Sequence, residues 1–300
     1  MRRFGWSNIG LEDAQACADE RTRDALERIL AGEKLPRRDR KLSYNGADGV
    51  PIREEIVSEH GDVIVSRNIY GALCLNTPDV LFGDIDADEG GRLKTGWKSA
   101  AALATAVVTV VIFIPAGIAR MAAIIAVFVV WAKVMLDRQK ATRAVEKEER
   151  MAAIKKRVED FMADRPEWRL NLYRTPAGLR VLALHRTFDP HESEVTAFFD
   201  TLECDPVYAR MCRKQHCFRA RVSPKPWRIG IRPRPAIWPV AEDRLPARRD
   251  WIAKYETAAR SHASCRFLVA LGSGPVDPKA AAVLELHDRL CRSGSDLPTA

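Results

Sequence analysis

Residues 99–119 read Ser-Ala-Ala-Ala-Leu-Ala-Thr-Ala-Val-Val-Thr-Val-Val-Ile-Phe-Ile-Pro-Ala-Gly-Ile-Ala, 21 consecutive positions without a charge. After Arg120, another 12 uncharged residues run from Met121 to Ala132. About 20 apolar residues are what a helix needs to cross roughly 30 Å of hydrocarbon, so this block reads as membrane-inserted. One straight helix through Ala132 would be about 50 Å long and would bury Arg120 at a cost of several kcal/mol. A bend at Pro115-Ala116-Gly117 instead gives two arms, 100–114 and 118–136, with Arg120 near the tip. Arg92, Lys94 and Lys98 precede the block, and Lys133, Arg138, Lys140 and Arg143 follow it. Positive flanks mark the cytoplasmic side, and Trp97 and Trp131 sit at the outer ends of the arms, where indoles prefer the headgroup level. A transmembrane helical hairpin with both ends cytoplasmic is therefore expected, with a single span or a buried soluble helix pair as alternatives.

The rest of the 300 residues is ordinary in composition, 47% hydrophobic and 29% charged, which excludes a disordered, collagen-like or polytopic chain. Lys and Arg number 48 against 40 Asp and Glu, a net +8 that suits an anionic partner: nucleotide, nucleic acid or lipid headgroup. The opening Met1-Arg2-Arg3-Phe4-Gly5-Trp6-Ser7 lacks the apolar stretch and cleavage site of a secretory signal, so the first hundred residues are expected in the cytosol. The expected location is the cell inner membrane, with the folded domain and both termini cytoplasmic. Seven cysteines, at 17, 74, 204, 212, 217, 265 and 291, are odd in number and scattered, and read as reduced thiols.

The expected organisation has six segments. Residues 1–50 are a polar, helical amino-terminal segment, with a helix over 12–31. Residues 51–96 are the first half of a cytosolic α+β domain, with strand signals at 63–65, 72–75 and 80–86. The membrane hairpin, 97–136, is followed by a charged amphipathic helix, 137–165, with an apolar stripe at Met151, Ile154, Val158 and Phe161. Residues 166–240 are the second half of the domain. They hold a β-hairpin over 169–185 around the turn Thr175-Pro176-Ala177-Gly178, helices near 192–202 and 207–214, and a basic strand at 218–222. Two closing helices, about 247–270 and 276–292, fill 241–300. The fold class is thus α+β, a small mixed sheet with flanking helices, interrupted by the membrane hairpin.

Asp84 and Asp86 are two apart at a strand end, so both carboxylates point to one face and Ile85 to the other. Such a pair can hold a hard divalent cation, or can be a plain acidic strand exit. Asp88 and Glu89 add charge just beyond. The 173–182 hairpin is the second constellation, with a glycine that lets backbone approach a ligand and arginines that can fork onto phosphate. Alone it is an ordinary hairpin. The stretch 219–234 interleaves Arg219, Arg221, Lys225, Arg228, Arg232 and Arg234 with Trp227, which suits phosphate contact with base stacking, or anionic lipid. Cys204, Cys212, His216 and Cys217 have ligand types for zinc without a recognised spacing, so zinc is not expected there. His185, His191, His262 and His287 read as structural.

An apolar strand ending Asp-x-Asp, followed later by Thr-Pro-x-Gly-x-His-apolar, resembles the core of the archaeo-eukaryotic primase superfamily, in particular its primase-polymerase branch. The resemblance covers roughly 60–90 and 165–230. It implies that Asp84 and Asp86 are catalytic ligands of Mg²⁺ or Mn²⁺, with Asp205 or Asp200 as the third acid. It implies too that Thr175, Gly178 and Arg180 meet nucleotide phosphate, Arg180 standing where the family has histidine. Lys225 and Arg228 join them as phosphate contacts. The leading expectation is a membrane-anchored protein that binds nucleotide or nucleic acid, and, if active, a metal-dependent nucleotidyltransferase. The alternative is a non-catalytic integral membrane protein whose basic cytosolic domain binds a protein partner or anionic lipid.

Overall fold

The computed structural model of the chain describes residues 3–5, 11–36, 54–87, 97–113, 115, 117–232, 235, 238 and 240–300. Asp88, Glu89, Arg92, Lys94 and Arg234 lie outside the described residues. Helix α1 (Leu11–Leu30) matches the amino-terminal expectation. Beyond it the described residues form a mixed α+β fold with two sheets.

The first sheet has the order β1 (Glu55–His60), β2 (Val63–Arg67), β3 (Leu73–Thr77) and β7 (Phe218–Arg221). The second has the order β4 (Phe82–Asp86), β6 (Gly178–Ala183), β5 (Leu170–Arg174) and β8 (Arg266–Leu271). All strand pairs in both sheets are antiparallel, which corrects the single mixed sheet expected. The connections explain it. β1–β2 and β5–β6 are hairpins, and the helical excursion from β4 returns the chain at β5, parallel to β4 but with β6 inserted between them, so every neighbouring pair is antiparallel. Strand β1 was not expected. It pairs with β2 through the two-residue turn Gly61-Asp62, where Gly61 takes a φ of +64°.

Helix α2 (Trp97–Phe113) and helix α3 (Ile118–Ala163) follow β4 and touch each other. The expected second arm and amphipathic helix are one element, since α3 runs unbroken for 46 residues, about 69 Å at the usual rise. Its two halves differ. An 18-residue window of α3 has a mean hydropathy of 2.0 and none of it is buried in the fold; by length and composition it can cross a membrane. The carboxy-terminal half buries Met151, Ile154, Val158 and Phe161, the stripe that the sequence spacing predicts. Phe161 meets Trp168 and Phe198 edge-on at 5.1 and 5.6 Å, so this half of α3 covers one face of the second sheet.

Helix α4 (Ser193–Thr201) lies on that same face, where Phe198 stands against Gly83 of β4. Helix α5 (Pro206–Gln215) is capped by Asp205, and helix α6 (Leu245–Ala259) packs beside the 3₁₀ turn at Pro226–Ile229. Helix α7 (Pro278–Cys291) covers the other face of the second sheet, with His287 5.4 Å from Phe82 and 4.8 Å from Tyr173. Residues 266–270, expected as the end of a helix, belong to β8. The apolar run Phe267-Leu268-Val269-Ala270-Leu271 is too short for a helix of its own and completes the open edge of β5.

Candidate functional site

The β4–β6 register sets the site. Asp84 stands opposite Arg180, Ile85 opposite Leu179, and Asp86 opposite Gly178. As the strand period requires, Ile85 is in the core while Asp84 and Asp86 share the other face. The Arg180 guanidinium is 2% exposed and forks onto Asp84, with Nε to Oδ1 at 2.7 Å and Nη2 to Oδ2 at 3.1 Å. Nη1 also donates to the Arg221 carbonyl at 2.9 Å. Burial would raise the Asp84 carboxyl, but the Arg180 charge and hydrogen bonds prevail and hold it below the usual carboxylate range. Arg180 is thus a partner of Asp84 inside the fold, which departs from the phosphate contact the resemblance implies.

Asp86 is the exposed member, and no hydrogen bond or ion pair ties it to another described residue. Partial burial, then the charges of Asp84 and Asp205, push its carboxyl above the usual range, against Lys225 and Arg221. Asp205 joins the pair because its backbone N–H donates to the Asp84 carbonyl at 2.9 Å. Its side chain accepts from Val207 N–H at 2.8 Å, capping α5. Asp200 sits near the end of α4, whereas Asp205, bonded to β4, is among the charges that raise Asp86.

Because Asp86 holds its proton more tightly folded than unfolded, its ionisation costs stability at neutral pH. Asp86→Asn removes that cost. Discounted for solvent screening, the gain is about 0.5 kcal/mol, or roughly 1–2 °C in Tm at pH 7. The penalty is absent below the unfolded carboxyl value near 4, so the gain should fade as pH falls through that range. Thermal melts of both proteins from pH 3.5 to 7.5, without divalent cations, check this.

Thr175 and Gly178 close the β5–β6 hairpin on themselves. Thr175 N–H donates to the Gly178 carbonyl at 2.8 Å, and Gly178 N–H to Thr175 Oγ1 at 3.0 Å. Lys147 of α3 reaches the Pro176 carbonyl at 2.6 Å above this turn. A Cβ on Gly178 would lie 2.0 Å from the Ile85 carbonyl, so glycine is needed for β4 to approach. Gly178→Ala should cost about 1–3 kcal/mol in urea denaturation, through displaced backbone at the β4 edge.

Lys225 is half-buried beside the carboxylates. Burial, with Arg221 and Arg228, lowers its ammonium value, while Asp86 and Asp84 oppose that shift. Its Nζ lies 5.5 Å from the Trp227 ring, and Trp227 meets Tyr70 edge-on at 5.2 Å. Arg228 N–H donates to the Lys225 carbonyl at 2.9 Å, in the same short 3₁₀ turn. Arg219, expected at the surface, is buried and bonded to Glu54. One face therefore carries the carboxylates of Asp84 and Asp86 with a lysine and an aromatic pair close by, and Asp205 adjoins it at the edge of β4. Asp86 has both oxygens available to a hard cation, whereas both oxygens of Asp84 already hold Arg180, so the donors fit one cation better than two.

Cys204, Cys212 and Cys217 are buried, and His216 faces His191 instead, with Nε2 atoms 3.1 Å apart. These four do not converge as a ligand set. A different group does, because the ligand atoms of Cys265, His287 and Cys291 all lie within 4.8 Å of one another. His287, expected to be merely structural, was legible in part: His287 and Cys291 are four apart and share one face of α7.

No protein-family model, curated protein or solved structure matches the chain.

Proposed function

We propose that this chain is a membrane-anchored protein whose α+β domain binds nucleotide through a divalent cation at Asp86, with Asp84 and Asp205 beside it. The supporting observation is that Asp86, beside Asp84 and near Asp205, has its carboxyl raised by partial burial and then by those two charges, next to Lys225 and the Tyr70–Trp227 pair. A carboxylate without an ion pair of its own beside other acids is the arrangement a cation relieves. The cation, Mg²⁺ or Mn²⁺, supplies bridging of phosphate oxygens and neutralisation of charge on a leaving pyrophosphate. In this reading Asp86 holds the ligand, Lys225 and Arg228 meet phosphate, and Trp227 offers a ring for base stacking. The likeness of Asp84-Ile85-Asp86 and the 173–182 hairpin to primase-polymerases extends the reading to nucleotidyl transfer. The helices α2 and α3 form the membrane hairpin at the cell inner membrane, keeping both halves of the site on the cytoplasmic side.

The test is binding of labelled nucleoside triphosphate to the detergent-solubilised full chain, with and without Mn²⁺. Metal-dependent binding at least roughly tenfold weaker in Asp86→Asn is expected, a difference of about 1.4 kcal/mol. Equal binding by the two proteins would end the nucleotide reading.

The Asp84–Arg180 pair favours a second reading, a non-catalytic membrane protein whose basic surface binds anionic lipid or a protein partner, because it occupies a carboxylate a polymerase needs free. Here Asp86→Asn would change nothing, while Lys225→Gln with Arg228→Gln would weaken salt-sensitive binding to phosphatidylserine vesicles.

A further inference from the structure

Behind the Asp84–Arg180 pair, on the side facing α7, lies a group of side chains that the nucleotide reading does not use. Cys265 precedes β8, while His287 and Cys291 stand on successive turns of α7, and none of the three is more than 1% exposed. Their two sulfurs and one ring nitrogen all lie within 4.8 Å of one another, with Cys265 Sγ 3.9 Å from His287 Nε2. Thiolate and imidazole are the ligand types that zinc selects.

The imidazole is already oriented as a ligand. His287 Nδ1 lies 2.9 Å from Asp288 Oδ1, and an ionised carboxylate can only accept, so the Nδ1 proton is fixed and Nε2, 3.9 Å from Cys265 Sγ, keeps its lone pair. A carboxylate behind a histidine in this way is the usual outer partner of a metal-bound imidazole. Nε2 also receives a contact from Arg180 Nη1 at 3.3 Å, the longest of the four that guanidinium makes. Its loss would leave Arg180 forked on Asp84 and bonded to the Arg221 carbonyl.

We propose that Cys265, His287 and Cys291 bind a structural zinc ion that ties α7 to the start of β8 behind the second sheet. Binding converts two thiols to thiolates and releases two protons, Zn²⁺ + 2 RSH giving Zn(SR)₂ + 2 H⁺, with no redox change. The full burial of all three ligands sets the ion inside the fold, where they supply three of the four positions of a tetrahedral zinc. This inference does not rest on the carboxylate site, and Asp86→Asn should leave the zinc in place.

The experiment is metal analysis of the detergent-solubilised full chain, followed by chelation and titration with Zn²⁺ and Co²⁺. Near-stoichiometric zinc is expected, with cobalt substitution giving intense thiolate-to-cobalt charge-transfer bands. Asp288→Asn, which leaves every ligand in place, should weaken zinc affinity roughly 10–100-fold. Cys265→Ser and Cys291→Ser should abolish the charge-transfer bands or halve them, while Cys204→Ser with Cys212→Ser should leave them unchanged. A folded wild-type chain that takes up neither metal would overturn the proposal, as would zinc retained at full affinity by Cys291→Ser. The wild-type cobalt spectrum decides the matter even where a cysteine variant fails to fold.

Discussion

Asp84→Ala is expected to destabilise the protein by about 3–5 kcal/mol, because it leaves the Arg180 guanidinium buried without its carboxylate. Arg180 is 2% exposed and the Asp84 side chain 32% exposed, so solvent can reach the acid but not the base. The lost attraction is only part of the cost. The larger part is an uncompensated charge between two sheets, with only the Arg221 carbonyl and the His287 ring to hold it. At roughly 2–4 °C per kcal/mol for a chain this large, Tm should fall by about 10 °C. The double variant Asp84→Leu with Arg180→Met removes both charges and should recover much of the loss. Wild-type stability from this pair is complete above the unfolded carboxyl value near 4 and declines as pH falls through the depressed folded value. Melts of the wild type and the two variants from pH 2.5 to 7.5 check both statements. A double variant no more stable than Asp84→Ala would show that Arg180 is not the origin of the effect. The practical consequence is that lost binding in an Asp84 variant cannot be separated from lost structure, whereas Asp86 variants can.

The second large effect concerns the apolar half of α3. Ile125 and Val129 are 59% and 57% exposed, so replacing them touches little of the folded core. If this half lies in a bilayer, each aspartate at the helix centre costs about 2.5–3.5 kcal/mol of insertion free energy, or about 5–7 kcal/mol for Ile125→Asp with Val129→Asp. A penalty of that size shifts partitioning by three orders of magnitude or more. Wild-type protein should remain with the membrane after alkaline extraction, and the double variant should leave it or be degraded. The domain of the variant should keep its circular dichroism and melting temperature in detergent. Identical partitioning of the two proteins would remove the membrane from the description. Chain geometry supports the bilayer, since a helix that is apolar and exposed over its first half, then amphipathic and half-buried, has two environments.

What was legible in the sequence was short-range. The two-residue period put Asp84 and Asp86 on one face, the turn at 175–178 marked a hairpin, and the stripe from Met151 to Phe161 marked the buried side of α3. What was not legible depends on register between distant strands. Arg180 lies 96 positions beyond Asp84, and nothing local says that it pairs with that aspartate rather than with a ligand. Asp205 could be named as a third acid but not chosen over Asp200, because its place follows from one backbone hydrogen bond to β4. Strand β8 was absorbed into a helix because its apolar run follows α6 closely, and only the vacant edge of β5 makes it a strand. The cysteine–histidine group was half visible, as His287 and Cys291 on one helix face, while Cys265 enters from 22 residues before His287 through the end of a different element.

The most direct measurement is Mn²⁺ binding to the detergent-solubilised full chain, followed by the loss of free-ion signal in electron paramagnetic resonance, for wild type and Asp86→Asn. Mn²⁺ is hard and seeks carboxylate oxygen, so it reports on the Asp84, Asp86 and Asp205 face rather than on the thiols. Saturable binding by wild type, tightened by added nucleoside triphosphate and lost in Asp86→Asn, is the predicted result. Superimposable titrations of the two folded proteins would contradict a cation-dependent nucleotide site at this face.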